Sequence, residues 1–262
     1  MWVAERPRAL VAITHRLGEH SGRYAALAGV LAQNRFTVAA LDLPGNGEAP
    51  GPRGDTSSWS RLRDVVVPSM FTLPRGMPGQ PPELPVVLFG HSMGGLLALD
   101  FALSHPRSLL GVVACAPAVR TAQPPAVKLA MAWVASKIAP AAGFPNGLDE
   151  DAISRDREVV ALRESDPLVH DRISPRMYFA MLEAQKRVMN GARGLAVPAL
   201  LLQATADRWV DPRGTLEFNA AAPDNMVRLF TYRDAYHEVF NDLARDLAIR
   251  DLLDWLDAIV VG

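Results

Sequence analysis

The stretch Pro85-Val86-Val87-Leu88-Phe89-Gly90-His91-Ser92-Met93-Gly94-Gly95 decides the fold of this chain. Its first five residues form an apolar, β-branched run that predicts a short buried strand, and a helical pattern follows Ser92. Between the two lies the pattern Gly-x-Ser-x-Gly, in which glycine permits a strained turn and close packing of the flanking elements. The sequence therefore predicts a strand, a sharp turn and a helix, with the Ser92 side chain presented at the turn.

Similar apolar runs recur along the chain, with helical patterns between most of them. The predicted strands are residues 9–14, 37–41, 85–89, 110–115, 199–202 and 226–232, and the predicted helices are residues 22–33, 94–104, 215–221 and 243–260. This alternation predicts an α/β protein with a mostly parallel central sheet flanked by helices. With Gly-x-Ser-x-Gly at a turn from strand to helix, it is typical of the α/β-hydrolase fold.

Residues 119–194 break this alternation. They contain a strongly apolar helical stretch (126–139), a polar turn region (146–157) and a second helix (176–189). We predict a helical cap, or lid, inserted between two strands, with residues 1–118 and 195–262 forming the core domain. The apolar stretch either packs on the core domain or exposes an apolar surface to lipid-like substrates or a membrane.

The composition sets limits on the class of protein. The 262 residues carry a formal charge of -1 and are 49% hydrophobic, as expected of one globular catalytic unit without attraction to nucleic acid. Cys115, the single cysteine, lies in an apolar run and predicts a buried inert thiol. The N-terminus lacks the pattern of a secretory signal, and no apolar run reaches about 20 residues, so we expect a cytoplasmic protein. Few of the basic residues are lysine, which suggests a GC-rich bacterial genome.

Ser92 needs a base that accepts its proton, and six histidines compete for this role. The α/β-hydrolase order is serine, acid, histidine, so the three histidines that precede Ser92 are rejected. His105 lies far along the helix that follows Ser92, and His170 lies in the predicted cap. His237, which follows the last predicted strand, is therefore the candidate general base.

An acid must orient the imidazole, and Asp207 follows the preceding strand, where this fold supplies it. Asp211 is the next choice, and Asp234 is a competitor that equally fits a helix cap or a solvated position. The oxyanion of an ester intermediate needs two backbone N–H groups, which we assign to Met93 and to a residue within 14–17. No histidine and acid spacing such as H-E-x-x-H predicts a metal site, and no cofactor is implied.

Several motifs resemble the monoglyceride lipase and lysophospholipase family. Residues 14–24 (THRLGEHSGRY) resemble its oxyanion loop, which typically reads His-Gly-x-Gly-Glu-His, and the similarity extends through residues 41–47, 90–95, 206–212 and 236–241 and through cap residues 147–156 and 165–169. The resemblance implies that Leu17 supplies the second oxyanion N–H. It also implies that the cap shields a tunnel for one acyl chain.

Two positions depart from the family pattern. Arg16 stands where the family has glycine, and an arginine there either distorts the oxyanion hole or points to solvent. Residues 43–48 (LPGNGE) replace a more basic loop, which we interpret as structural and away from the chemistry.

The expected function is therefore hydrolysis of single-chain lipid esters, above all of monoacylglycerol to glycerol and fatty acid through an acyl-enzyme. The expected partners are the small lipid ester and, transiently, a membrane or micelle that contacts the cap. Two alternatives stay open: a short-chain carboxylesterase or peptidase of the same fold, and a binding protein without catalysis.

Overall fold

The computed structural model describes residues 1–122 and 124–261. Its strands, in chain order, are β1 (Ala9–Thr14), β2 (Phe36–Ala40), β3 (Val86–His91), β4 (Gly111–Cys115), β5 (Phe144–Pro145), β6 (Arg172–Ile173), β7 (Ala199–Ala204) and β8 (Val227–Tyr232). Six of them form a central sheet in the order β2-β1-β3-β4-β7-β8, and all neighbouring pairs are parallel. The predicted parallel sheet is confirmed, and β5 with β6 forms a separate antiparallel pair.

The helices are α1 (Ala25–Gln33), α2 (Trp59–Arg61), α3 (Val67–Met70), α4 (Met93–Ser104), α5 (Ala126–Ile138), α6 (Arg157–Glu164), α7 (Pro175–Gly191), α8 (Pro212–Ala221) and α9 (Arg245–Val261). A π-helical turn, Leu62–Val66, joins α2 to α3. The sequence had not predicted α2, α3 or α6. Among the described residues, no helix is both long and apolar enough to cross a membrane.

The sheet register brings the carboxyl ends of the central strands to one edge. Thr14 at the end of β1 pairs with Gly90 of β3, and His91 pairs with Cys115 at the end of β4. In a parallel sheet the loops that follow these strands meet at that edge, which is where α/β proteins bind ligands. Every residue of β1, β4 and β7 is buried, including Cys115, because helices cover both faces of the sheet.

The chain between β4 and β7 contains α5, α6 and α7 together with the β5–β6 pair. Helix α7 packs on α4, and α5 packs on α7. Side chains of this segment also form polar contacts with the rest of the molecule: Arg155 with Asp242, Asp166 with His20, and Arg176 with Asp55. The division into core and cap at residues 119 and 194 stays a prediction.

Candidate active site

Ser92 occupies the turn between β3 and α4 in a strained conformation, with φ 55° and ψ -115°. A non-glycine residue adopts positive φ only where its surroundings enforce it. Here the Ser92 N–H donates to Cys115 O (2.9 Å), and the Ala118 N–H donates to Ser92 O (2.9 Å). Both contacts come from β4 and the loop after it, so the sheet itself holds the turn in place.

The glycines beside Ser92 are required by the lack of space around the turn. A Cβ on Gly90 would lie 2.1 Å from Gly94 O, and a Cβ on Gly94 would lie 2.1 Å from Thr14 O. Strand β3, helix α4 and the end of β1 therefore approach as closely as their backbones permit. Because α4 begins at Met93, the Met93 N–H has no acceptor within the helix and lies at its positive end.

His237 and Asp207 form a buried pair at the same edge of the sheet. His237 Nδ1 lies 2.8 Å from Asp207 Oδ2, and both side chains are fully buried. The other carboxylate oxygen of Asp207 accepts hydrogen bonds from the Trp209 N–H (2.8 Å) and the Val210 N–H (3.0 Å). Burial opposes ionisation, but the neighbouring His237 and these hydrogen bonds outweigh it and lower the pKa of Asp207.

This pairing leaves His237 Nε2 available as an acceptor. An ionised Asp207 requires Nδ1 to carry the proton. Among the described residues, no partner lies within hydrogen-bonding distance of Nε2. The ring is packed against His91 (centroids 4.7 Å apart) and Trp209 (5.1 Å), which fix its plane. Burial and the adjacent His237 lower the pKa of His91 to about 4, so His91 stays neutral beside it.

The other candidate acids and histidines lie elsewhere. Asp211 caps α8 by accepting a hydrogen bond from the Arg213 N–H (3.1 Å), and the Asp234 side chain is 75% exposed. His105 is partly exposed beside Asp64, and His170 contacts Gly45 O (3.1 Å). Of the candidates named from sequence, the structure thus brings together His237 and Asp207.

The loop after β1 is held so that Leu17 lies at the cavity beside Ser92. The Arg16 N–H donates to Glu19 Oε1 (3.0 Å), the Gly18 N–H donates to Asn46 Oδ1 (2.8 Å), and Gly18 O accepts from the His170 N–H (2.9 Å). No described residue accepts a hydrogen bond from the N–H of Leu17. The loop thus leaves this N–H free while its neighbours are fixed.

The loop at residues 43–48 lies nearer to this region than the sequence suggested. Asn46 holds Gly18, and the Leu43 N–H donates to His15 Nε2 (2.8 Å). Residues 43–48 thus contact the loop after β1, but they are not among the residues that line the cavity beside Ser92. Residues 43–48 therefore support the loop after β1 through direct hydrogen bonds.

Arg16 does not point to solvent: its side chain is 1% exposed. Its Nε lies 3.2 Å from both Glu19 Oε2 and Glu238 Oε1, and Arg23 contacts the same two carboxylates. Burial opposes ionisation of Glu238, but Arg23 and Arg16 hold its pKa well below its ordinary value. Sequence reasoning had not singled out Glu238, although its position directly after His237 is a signal that it lies beside the site.

A cavity of about 450 Å³ opens next to Ser92, within the range of small-molecule sites. Arg16, Leu17 and Met93 line it together with Ser92. The lining residues from the chain between β4 and β7 are mostly apolar and include Leu148, Ile173, Tyr178, Met181 and Leu182. Among the described lining residues, Asp149 is the one carboxylate, and it is paired with Arg208 (3.3 Å).

The parallel sheet, the strained serine between β3 and α4, and the histidine and aspartate after the later strands define an α/β-hydrolase. The profile of the family described as serine aminopeptidase, S33 matches residues 5–244. The chain is 32% identical to a monoacylglycerol lipase of Mycolicibacterium smegmatis over 95% of this chain and 88% of the relative. It is also 32% identical to the phospholipase YtpA of Bacillus subtilis, over 94% of this chain and 93% of that protein.

A solved monoacylglycerol lipase of Paleococcus ferrophilus superposes with a TM-score of 0.88 at 33% identity, covering 98% of this chain and 97% of the other. The chain spans 26% of the length of a longer relative, an uncharacterized abhydrolase domain-containing protein of Dictyostelium discoideum. This chain therefore belongs to the family described as serine aminopeptidase, S33, and to the monoglyceride lipase and lysophospholipase family of α/β-hydrolases.

Proposed function

We propose that this protein is a serine hydrolase that cleaves carboxylic esters of single-chain lipids, with monoacylglycerol as the preferred class of substrate. Ser92 is the nucleophile, His237 the general base and Asp207 the acid that orients it. The N–H groups of Leu17 and Met93 form the oxyanion hole. The observation that carries the proposal is the buried contact of 2.8 Å between His237 Nδ1 and Asp207 Oδ2, which leaves Nε2 without a hydrogen-bond partner among the described residues.

In the proposed reaction, Ser92 Oγ attacks the ester carbonyl while His237 Nε2 takes the hydroxyl proton. The carbonyl oxygen becomes an oxyanion, which accepts hydrogen bonds from the two backbone N–H groups. The tetrahedral intermediate collapses with cleavage of the C–O bond, and His237 gives its proton to the departing glycerol oxygen. A water, deprotonated by His237, then attacks the acyl-serine. The second tetrahedral intermediate collapses with cleavage of the bond to Ser92 Oγ, which takes the proton back from His237, and the fatty acid is released.

The cavity supports a lipid substrate. It is lined by side chains of α7, among them Tyr178, Met181 and Leu182, which suit an acyl chain rather than a charged peptide. An aminopeptidase would need an unpaired carboxylate for the substrate ammonium, whereas Asp149 is already paired with Arg208. The lipase relatives also favour a lipid ester substrate. Because one relative is a phospholipase, lysophospholipids belong to the substrate class to be tested.

We further propose that α5 contacts a lipid surface while the substrate enters. None of its thirteen residues is buried, and it exposes Val127 (72%), Met131 (67%) and Ile138 (79%). It carries two lysines, Lys128 and Lys137, and no acidic residue, which favours anionic lipid. In this proposal, residues 119–194 form the cap that shields the cavity.

The deciding experiment measures hydrolysis of a monoacylglycerol, a lysophospholipid, a short p-nitrophenyl ester and an amino-acid anilide. It compares wild type with Ser92→Ala and Asp207→Asn, and uses Asp211→Asn as the matched control. We expect monoacylglycerol turnover that falls by about 10⁴-fold or more in both site variants. Asp211→Asn should retain wild-type turnover because Asp211 lies at the α8 cap.

Other outcomes would replace parts of the proposal. Turnover of the short ester alone would indicate a short-chain carboxylesterase, and cleavage of the anilide would indicate a peptidase. Wild-type protein that hydrolyses none of these substrates would contradict an enzymatic function and favour a binding protein. Equal losses in Asp207→Asn and Asp211→Asn would contradict the role given to Asp207.

A further inference from the structure

We propose that Arg16 is a positioning residue that joins the three loops of the catalytic machinery. This inference rests on the proposed function of Ser92, Asp207 and His237. Arg16 lies at the wall of the cavity, but its side chain is only 1% exposed, and its contacts are with neighbouring protein groups. We therefore place its action on those groups and not on substrate.

The first contact fixes the proposed oxyanion hole. Arg16 Nη1 donates to the carbonyl oxygen of Leu17 (2.8 Å), the residue whose N–H we assign to that hole. A side chain that holds this carbonyl also restricts the orientation of the loop that carries the Leu17 N–H. An oxyanion hole works only when its donors are already aimed at the position of the oxyanion.

The second contact reaches the histidine loop. Arg16 Nε lies 3.2 Å from Glu238 Oε1, and Glu238 directly follows His237 in the chain. The Glu238 carboxylate is buried, so its pairing with Arg16 and Arg23 restricts the loop more than an exposed ion pair would.

The third contact reaches the loop that carries the acid. The Arg16 guanidinium lies over the Trp209 ring, with Cζ 4.7 Å from the ring centroid. The same tryptophan packs on the His237 ring and donates its backbone N–H to Asp207 Oδ1. Through Trp209, Arg16 therefore supports both members of the buried pair.

Only arginine has the shape for these contacts. Its planar guanidinium donates in several directions and stacks on an aromatic face at the same time, whereas lysine has a single nitrogen at the end of a flexible chain. Arg16→Lys therefore retains the positive charge between Glu19 and Glu238. It loses the stacking on the Trp209 ring and the hydrogen bond to Leu17 O. Arg16→Met removes the charge as well, so that Arg23 is the guanidinium that still contacts both buried carboxylates.

Arg187, which is not among the residues that line the cavity, provides a control. Arg187 of α7 contacts the buried Asp100, with Nη2 3.0 Å from Oδ2, and Arg63 shares that carboxylate. Arg187→Met thus also removes one of two guanidinium partners of a buried acid. It lies outside the proposed catalytic machinery.

The test measures kcat and KM for a soluble p-nitrophenyl ester, the rate at which a fluorophosphonate labels Ser92, and the melting temperature. It compares wild type, Ser92→Ala, Arg16→Lys, Arg16→Met and Arg187→Met. We expect Arg16→Lys to lower kcat and the labelling rate by about 10- to 100-fold, with KM unchanged within about twofold. Arg187→Met should label at the wild-type rate. If Arg16→Met does not fold, the kcat and labelling rate of Arg16→Lys relative to wild type still test the proposal.

The proposal is overturned if Arg16→Lys labels as fast as wild type, or if Arg187→Met slows labelling equally. Fluorophosphonate labelling does not depend on the natural substrate, which separates the two proposals. Wild type that is labelled at Ser92 but hydrolyses no lipid ester would contradict the substrate class alone, and the labelling rates would still test Arg16. Wild type that is not labelled at Ser92 would overturn both.

Discussion

Helices α4 and α5 are both strongly apolar and nearly equal in length, with 12 and 13 residues, but they occupy opposite environments. In α4 the ten residues from Met93 to Ala102 are all buried, between the sheet and α7. In α5 no residue is buried, and the helix packs along α7. The same apolar composition therefore occurs in one buried helix and in one exposed helix of this molecule.

Helix α4 stabilises the fold, whereas α5 presents apolar side chains for contact with another molecule. Burial of α4 side chains removes apolar surface from water and stabilises the fold that presents Ser92. The exposed side chains of α5 gain nothing comparable within the chain, and contiguous exposed apolar surface marks a site for contact with something else. Four predictions test this contrast, ordered by the expected change in the free energy of unfolding.

The largest change is expected for Gly94→Ala, in the first turn of α4. The new Cβ would lie 2.1 Å from the backbone oxygen of Thr14, so β1 or α4 must move. We expect a loss of more than about 4 kcal/mol, or no folded protein. Gly29→Ala in α1 is the control, since nothing lies within 4 Å of its Cβ, and it should be neutral or stabilising by up to about 1 kcal/mol. Urea denaturation measures both, and equal effects would contradict the close packing of α4.

Leu97→Ala in α4 should have the next largest effect. Leu97 is fully buried, so the truncation leaves a cavity and costs about 2–5 kcal/mol. The equivalent truncation in α5, Met131→Ala, removes a side chain that is 67% exposed and should change stability by less than about 0.5 kcal/mol. Thermal and urea unfolding of the two variants measure the contrast directly. Similar losses would show that α5 is buried in solution.

Acid should produce a smaller, graded loss that originates around the site and not in α5. The folded-state pKa values of Asp207, Glu19 and Glu238 all lie below their ordinary values, chiefly because positive partners outweigh burial. Such groups stabilise the fold above their unfolded pKa of about 4, and this contribution is lost as the pH falls through the folded-state pKa. His91, whose pKa is lowered to about 4, adds an earlier loss, because the unfolded state binds a proton there below about pH 6.5 and the folded state does not. Urea midpoints should therefore fall gradually below about pH 6.5 and more steeply below about pH 4.

Glu238→Gln supplies the control for this pH dependence. Without the Glu238 carboxylate, the fall in stability below about pH 4 should be shallower than in wild type. Stability that does not change down to about pH 3 would contradict the lowered pKa values.

The parts of the molecule that were predictable from sequence are those with local signals. The strands of the parallel sheet are continuous apolar runs, and the strained turn at Ser92 has its own glycine pattern. The order of elements then selected Asp207 and His237 as a pair, which the structure brings into contact. Each of these inferences needed only a short window of sequence and the topology of the fold.

The parts that were not predictable depend on contacts between distant residues. Arg16 meets Glu238 across 222 positions, so the sequence could not show that its side chain turns inward. Helix α6 is polar and short, and its capping residue Asp156 was included in a predicted turn region. The apolar pattern of α5 fits a buried helix as well as an exposed one, because composition does not record what covers a surface.

The smallest effect on stability, and a clear effect on function, is expected for the combined variant Val127→Ser, Met131→Ser and Ile138→Ser. These α5 side chains are mostly exposed, so the free energy of unfolding should change by less than about 1 kcal/mol in total. Hydrolysis of monoacylglycerol in anionic vesicles should fall about tenfold because the apolar contact with lipid is lost, while hydrolysis of a soluble ester should not change.

The matched control for α5 removes apolar surface of the same kind elsewhere. Leu216→Ser, Leu243→Ser and Leu247→Ser alter side chains that are 45%, 67% and 42% exposed on and beside α8 and α9. Vesicle sedimentation and turnover should stay at the wild-type level in this variant, because these positions lie outside the chain between β4 and β7. If both variants lose vesicle activity equally, general surface hydrophobicity and not α5 drives the contact with lipid. If neither loses it, the exposed face of α5 has no role in binding lipid, and the contrast with α4 concerns folding alone.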